Sequence, residues 1–295
     1  MLKVTNLTKY IDNAAILRDI SFSIGEGSIV GLVGRNGVGK TTLLRCLVGI
    51  LDPEEGEVLF EGQSIFQHPE VKASMVFVPD STTTFNGYSV KELVVLYEAI
   101  YENFDSVYFY QLLERFNLPG KRKIRTFSRG MKALLFIILA ISTRAKLIIL
   151  DEPTNGLDAI VKRKILQFLI EEVAESGLSL LISSHHLDEL EKIADTIVML
   201  KDGEVESIVS MEDAKLLYKK IQVVFKEGGL PEELKQLPHI EIVSEVGRVV
   251  TILIKGSTED TILKIKRYQP VLLEELPMSL EDMFVSALGG DDIVY

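Results

Sequence analysis

Short β-branched runs alternate with helical periodicity over the first two hundred residues, predicting strands at 2–6, 16–24, 28–33, 58–60, 75–78, 147–150, 179–182 and 196–200. Several of these runs are apolar throughout, as strands covered on both faces are, so they imply an α/β layered core. No comparable strand falls between Phe85 and Met131. Helical spacing prevails there, and the stretch around 85–135 reads as a helical insert between two core strands. After Glu204 the pattern changes. Strands at 221–225, 240–244, 249–254 and 271–273, with helices at 231–236 and 258–268, follow the order β-α-β-β-α-β, the split βαβ arrangement of a small ferredoxin-like domain. Glu227-Gly228-Gly229 and Lys255-Gly256-Ser257 mark its turns. Ser279 and Asp282 have capping-box spacing ahead of a last helix through Met283-Phe284-Val285. The expected organisation is a domain of residues 1–210 and an accessory domain of residues 211–295.

Composition narrows the class. With 295 residues, 47% apolar and 25% charged, the chain has the usage of a folded globular protein. Its net charge of −11 opposes broad attraction to nucleic acid, so no nucleic-acid partner is expected and any polyanion must be held at a local site. Mean hydropathy is high, at +0.22. Yet the longest apolar run, 133–141, has nine residues, against the roughly 18 that span a bilayer. The N-terminus has no signal-peptide core, and Cys46 is the single cysteine, so no internal disulfide is possible and a reducing cytoplasm is the expected setting. Cys46 lies in an apolar helical pattern and is expected to pack.

One local polyanion site is evident. Gly34-Arg35-Asn36-Gly37-Val38-Gly39-Lys40-Thr41-Thr42 follows an apolar strand and precedes Leu43-Leu44-Arg45-Cys46-Leu47, fitting G-x-x-x-x-G-K-[ST] in the strand-loop-helix context it requires. The glycines let the backbone turn its N–H groups and the following helix N-terminus toward phosphate oxygens. Lys40 would reach the β- and γ-phosphates, and the Thr41 hydroxyl would bind Mg²⁺. Further on, Leu147-Ile148-Ile149-Leu150-Asp151-Glu152 is an apolar strand ending in two carboxylates that face opposite sides. Asp151 is the candidate that holds Mg²⁺, and Glu152 the candidate that polarises an attacking water.

With these motifs in place, about the first 210 residues resemble the nucleotide-binding subunits of ABC transporters. The resemblance implies a P-loop NTPase ABC cassette: a RecA-like core with an antiparallel β subdomain and a helical subdomain. Phe127-Ser128-Arg129-Gly130-Met131 looks like the family signature, which meets the γ-phosphate of an ATP held by a second subunit. On that basis Ser128 and Gly130 join the nucleotide-contacting residues. Asn155-Gly156-Leu157-Asp158 looks like the D-loop, which adds Asp158. Ser183-Ser184-His185 places His185 as the switch histidine, whereas His186 reads as structural. Tyr10 lies where the family stacks an aromatic on adenine. Two motifs depart from the family pattern. Asp80 stands where Gln usually contacts the Mg²⁺ site, leaving a carboxylate to approach the metal, and in the signature Arg129 replaces a glycine and Met131 stands where the family has glutamine.

The resemblance further implies an ATPase that closes as a head-to-tail dimer, homodimer or heterodimer, around two ATP molecules. It would drive separate transmembrane permease subunits from the cytoplasmic face of the membrane. The signature and the closing Ser279-Leu280-Glu281-Asp282-Met283-Phe284 look like the bacterial drug- and antibiotic-export branch. A nucleotide-gated regulatory protein with little hydrolysis and a non-transport ABC-type ATPase are the alternatives. Between Phe85 and Phe116, nine of the chain's 22 aromatics occupy 32 residues, a nearly fourfold enrichment. They serve either a partner's coupling helix or the insert's own core. The basic run Lys121-Arg122-Lys123 with Arg125 reads as a solvated face.

Overall fold

The computed structural model describes residues 1–282 except Thr82, Glu227, Ser257, Met278 and Glu281. The chain divides into two compact units, Met1–Ile208 and Val209–Tyr295.

The first ten strands are β1 (Leu2–Ile11), β2 (Ala14–Ile24), β3 (Ile29–Val33), β4 (Glu55–Phe60), β5 (Gln63–Ser64), β6 (Met75–Val78), β7 (Leu147–Asp151), β8 (Ser179–Ser184), β9 (Thr196–Lys201) and β10 (Glu204–Ser210). They build two sheets. One is antiparallel, in the order β2-β1-β4-β5; the other runs β10-β9-β3-β8-β7-β6 and is parallel from β9 to β6. Every residue of β3, β7 and β8 is buried, which is the both-faces-covered state their unbroken apolar runs imply. One core, including Leu7, Leu17, Leu43, Leu147 and Val198, joins the two sheets through the helix Lys40–Leu47.

Two short pieces escape the sequence pattern. The strand β10 alternates Glu204-Val205-Glu206-Ser207-Ile208, and its exposed positions dilute the apolar signal. It follows β9 through Asp202 and Gly203, both at positive φ (50° and 81°), the geometry of a tight hairpin turn. The two-residue β5 is too short to carry any periodicity.

The insert holds the helices Val90–Ile100, Ser106–Arg115 and Arg129–Ser142. Each starts on a side-chain cap: the Ser89/Glu92 capping box, Asp105 accepting from Tyr108 N–H, and Ser128 accepting from Met131 N–H. Most of the aromatic cluster is internal. Tyr97, Phe104 and Phe109 stack in sequence, Phe85 meets Phe136, and Phe116 meets Phe168 edge-on. The insert is also tied to the long helix Ala159–Ser176. Arg115 pairs with Glu171 at 2.5 Å, and the Tyr108 hydroxyl donates to the buried Glu172.

In the second unit, β11 (Tyr218–Val224), β12 (Ile240–Val246), β13 (Val249–Lys255) and β14 (Leu272–Leu276) form a sheet ordered β12-β13-β11-β14, antiparallel at each contact. The helix Glu232–Lys235 joins the first two strands and Thr258–Arg267 the last two, so this is the split βαβ topology. Ile221, Val223, Val250, Ile252 and Ile265 form its core. A helix not evident in the pattern, Met211–Leu217, precedes it. Asp282 N–H donates to Ser279 Oγ at 3.2 Å and Ser279 N–H to Asp282 Oδ2 at 2.8 Å, closing the expected capping box. Met283-Phe284-Val285 lies outside the described residues.

Candidate nucleotide site

The loop Gly34–Gly39 leaves the carboxyl end of β3, a central strand of the parallel sheet, and feeds the helix Lys40–Leu47. Carboxyl ends of parallel strands are where α/β sheets open a crevice for ligands. Gly39 has φ +110°, and a Cβ there would stand 2.9 Å from Leu17 Cδ2. Only glycine suits both the backbone and the space. Val38 N–H donates to Arg35 O at 3.2 Å and Leu43 N–H to Gly39 O at 2.8 Å, which closes the turn. Lys40 is buried, with Nζ 2.6 Å from Gly34 O and 3.4 Å from Glu152 Oε1.

The acidic pair arrives from β7. Thr41 Oγ1 donates to Asp151 Oδ2 at 2.8 Å, and Ser183 Oγ donates to Asp151 Oδ1 at 2.6 Å. Glu152 leaves the strand at φ +49°, a left-handed conformation that costs a non-glycine residue energy and clusters at functional sites. Its N–H is held by Ser183 Oγ at 3.0 Å, and its Oε2 faces His185 Nδ1 at 2.8 Å. Lys40, Thr41, Asp151, Glu152 and His185 therefore form one bonded cluster across the ends of β3, β7 and β8. Hydroxyl and carboxylate oxygens at Thr41 and Asp151 are hard donors suited to Mg²⁺, which keeps few protein ligands; the set fits that ion.

The chain's similarities agree with this geometry. The family model described as ABC transporter matches residues 17–155. The ABC transporter ATP-binding protein YtrB of Bacillus subtilis is 35% identical over 98% of this chain and 99% of its own length. The chain belongs to the ATP-binding proteins of ABC transporters. The lantibiotic transport ATP-binding protein SrtF of Streptococcus pyogenes is 33% identical over 70% of this chain and 89% of its own. A solved ATP-binding subunit of an ABC transporter superposes with a TM-score of 0.66 at 27% identity, covering 72% of this chain and 91% of that one. This ABC protein is thus an ATP-binding subunit in a family of ATPases, with the cassette fold.

The remaining predicted residues lie around the cluster. Tyr10 is near the end of β1 and 45% exposed, and its N–H donates to Glu54 Oε2 at 2.8 Å. Arg35, Asn36 and Gly37 form the exposed crest of the loop; Val38 packs against the core, and Thr42 lies in the first turn of the helix. Ser128, Gly130 and Asp158 share a separate, open hollow. Asp158 caps the helix Ala159–Ser176, accepting from the N–H groups of Ile160 and Val161 at 3.1 Å. Asp80 is bonded elsewhere: its Oδ1 faces Arg129 Nη2 at 3.4 Å. The Lys121, Arg122, Lys123 and Arg125 side chains are exposed. Cys46 is fully buried, and burial pushes its thiol up to about 11.

Two contributors were not evident in the chain as read. Ser183 touches both acids because β7 and β8 run in parallel register with Asp151 opposite Ser183. Glu189, buried, accepts from Thr154 Oγ1 and pairs with Lys162 Nζ at 2.6 Å, tying the turn after Glu152 to the helix that Asp158 caps. Its place four positions after His185 is the only sequence signal for it.

Proposed function

We propose that this ABC subunit hydrolyses ATP within a head-to-tail dimer and so powers transport, in the export direction, through separate membrane subunits. The observation that carries the reading is the bonded cluster of Lys40, Thr41, Asp151, Glu152 and His185 at the carboxyl ends of adjacent strands. The loop 34–39 and the helix after it cradle the phosphates with backbone N–H groups, and Lys40 turns from Gly34 O to phosphate oxygens. Thr41 and Asp151 would hold Mg²⁺, which when bound neutralises charge on the β- and γ-phosphates. Glu152 accepts a proton from the attacking water, and His185, hydrogen-bonded to it, fixes that carboxylate and faces the γ-phosphate. Tyr10 stacks on the base.

Ser128 and Gly130 lie in a hollow apart from the cradle, so in this reading they grip ATP held by a second subunit, with Asp158 at the same junction. Hydrolysis removes the γ-phosphate they hold, and the dimer opens. Among the described residues no helix is long and apolar enough to cross a membrane, which fits movement delivered to other subunits at the cytoplasmic face. Exposed Tyr88, Val95, Ile100, Val107 and Tyr110 on the insert offer the apolar contacts such subunits would use. Residues 1–210 would then act as the cassette and residues 211–295 as an accessory domain.

Phosphate release by purified chain tests the reading. Glu152→Gln should still bind ATP and lose about 10²- to 10⁴-fold in turnover, the usual worth of a general base. Equal turnover in the two proteins overturns the assignment.

A further inference from the structure

Two residues by which this chain departs from the family pattern, Asp80 and Arg129, 49 positions apart, face each other. Asp80 Oδ1 stands 3.4 Å from Arg129 Nη2, with the side chains 43% and 57% exposed. The same guanidinium lies against Gly156, where a Cβ would be 2.3 Å from Arg129 Nη1; Gly156 has φ +66°, a backbone conformation that favours glycine. Arg129 opens the helix Arg129–Ser142 between Ser128, its cap, and Gly130, and it lines the hollow that holds Ser128, Gly130 and Asp158. It also lines a smaller cavity of about 330 Å³ with Asp80, Glu152 and Asn155. One flexible cation thus borders the signature, the D-loop turn and the general base.

We propose that Arg129 is a phosphate-contacting catalytic residue for the ATP held by the partner subunit, and that Asp80 is its exchangeable counter-ion. The inference rests on the head-to-tail reading above. A glycine in the signature offers phosphate only a backbone N–H; arginine adds a planar fork of donors matched to phosphate oxygens. An exposed ion pair at this distance holds weakly, so a triphosphate of higher charge displaces the carboxylate. Asp80 then serves by neutralising and aiming the guanidinium while no phosphate engages it, and the charge at the usual glutamine position is accounted for by the charge at the signature.

The test uses full-length Glu152→Gln protein, in which the ATP-bound dimer accumulates. Light scattering gives the ATP concentration for half-maximal dimerisation, and a fluorescent ATP analogue gives affinity for the single chain. Adding Arg129→Gln should raise the half-maximal concentration about tenfold, the loss of one charge-assisted contact, with single-chain affinity unchanged; Arg129→Lys should recover part of it. Asp80→Gln should lower the concentration, and should do nothing once Arg129→Gln is present. Unchanged dimerisation in Arg129→Gln, or an Asp80→Gln effect that persists without the arginine, overturns the proposal while leaving the dimer standing. If Glu152→Gln does not dimerise with ATP, the head-to-tail reading and this inference fall together.

Discussion

The Ser183 hydroxyl donates to Asp151 Oδ1 at 2.6 Å while Thr41 Oγ1 occupies the other carboxylate oxygen at 2.8 Å. Ser183 and the accepting Asp151 are buried, at 0% and 4% exposed, while Thr41 is half-buried. Replacing Ser183 by Ala leaves a buried carboxylate one partner short, a loss of about 1–3 kcal/mol, while Glu152 N–H keeps its bond to Ser183 O at 3.2 Å. Ser183→Ala should therefore melt lower and need more Mg²⁺ for half-maximal ATP hydrolysis, and Ser183→Thr should restore most of both. A metal titration of the three proteins reads this directly.

Lys40 reaches two carbonyls and one carboxylate, Gly34 O, Arg35 O and Glu152 Oε1. Lys40→Ala should weaken ATP binding about ten- to hundredfold, since a hydrogen bond to a charged group is worth about 1.5–3 kcal/mol. Titration with a fluorescent ATP analogue measures it. The contrast with Glu152→Gln, which keeps binding and loses turnover, separates the two roles.

Gly39→Ala places a Cβ 2.9 Å from Leu17 Cδ2 and 3.2 Å from Ile16 O at φ +110°. The expected cost is about 1–3 kcal/mol of stability, read as a lower urea midpoint. Gly37, also at positive φ (+85°) but with nothing near its missing Cβ, should pay for backbone strain alone and lose less when changed to Ala.

Asp105 caps the helix Ser106–Arg115 and pairs with Arg144 at 2.7 Å. Its carboxyl is held below the ordinary 3.8, first by the Tyr108 N–H and then by Arg144. Because the folded value is depressed, the stabilisation is present above about pH 3.8 and is lost as pH falls further. Asp105→Asn keeps a capping oxygen and loses the charge. Its melting temperature should lie below wild type at neutral pH and converge with it on acidification.

The cradle was legible because its chemistry is contiguous: Gly34 to Thr42 is one loop and one helix start, and the strand before it carries no polar side chain. Asp151 and Glu152 were legible for the same reason. Ser183 was not, because its task depends on which strand lies beside β7, a fact of pairing across 32 residues. The Asp80–Arg129 contact was hidden likewise: each residue stood out as unusual, and only the fold brings them together. The weakly patterned β10 and the helix Met211–Leu217 escaped because half-exposed elements mix polar with apolar positions.

Cys46 is the chain's sole cysteine and is sealed in the core beside Leu43 and Leu47. Maleimide chemistry at neutral pH will pass it over, so the unaltered protein already serves as a blank background for reporter dyes. A cysteine placed at exposed Val107 on the insert, or at exposed Ile160 beside the D-loop, would be the one accessible thiol in the molecule, and distances between such reporters can be followed during turnover without first stripping out a native thiol.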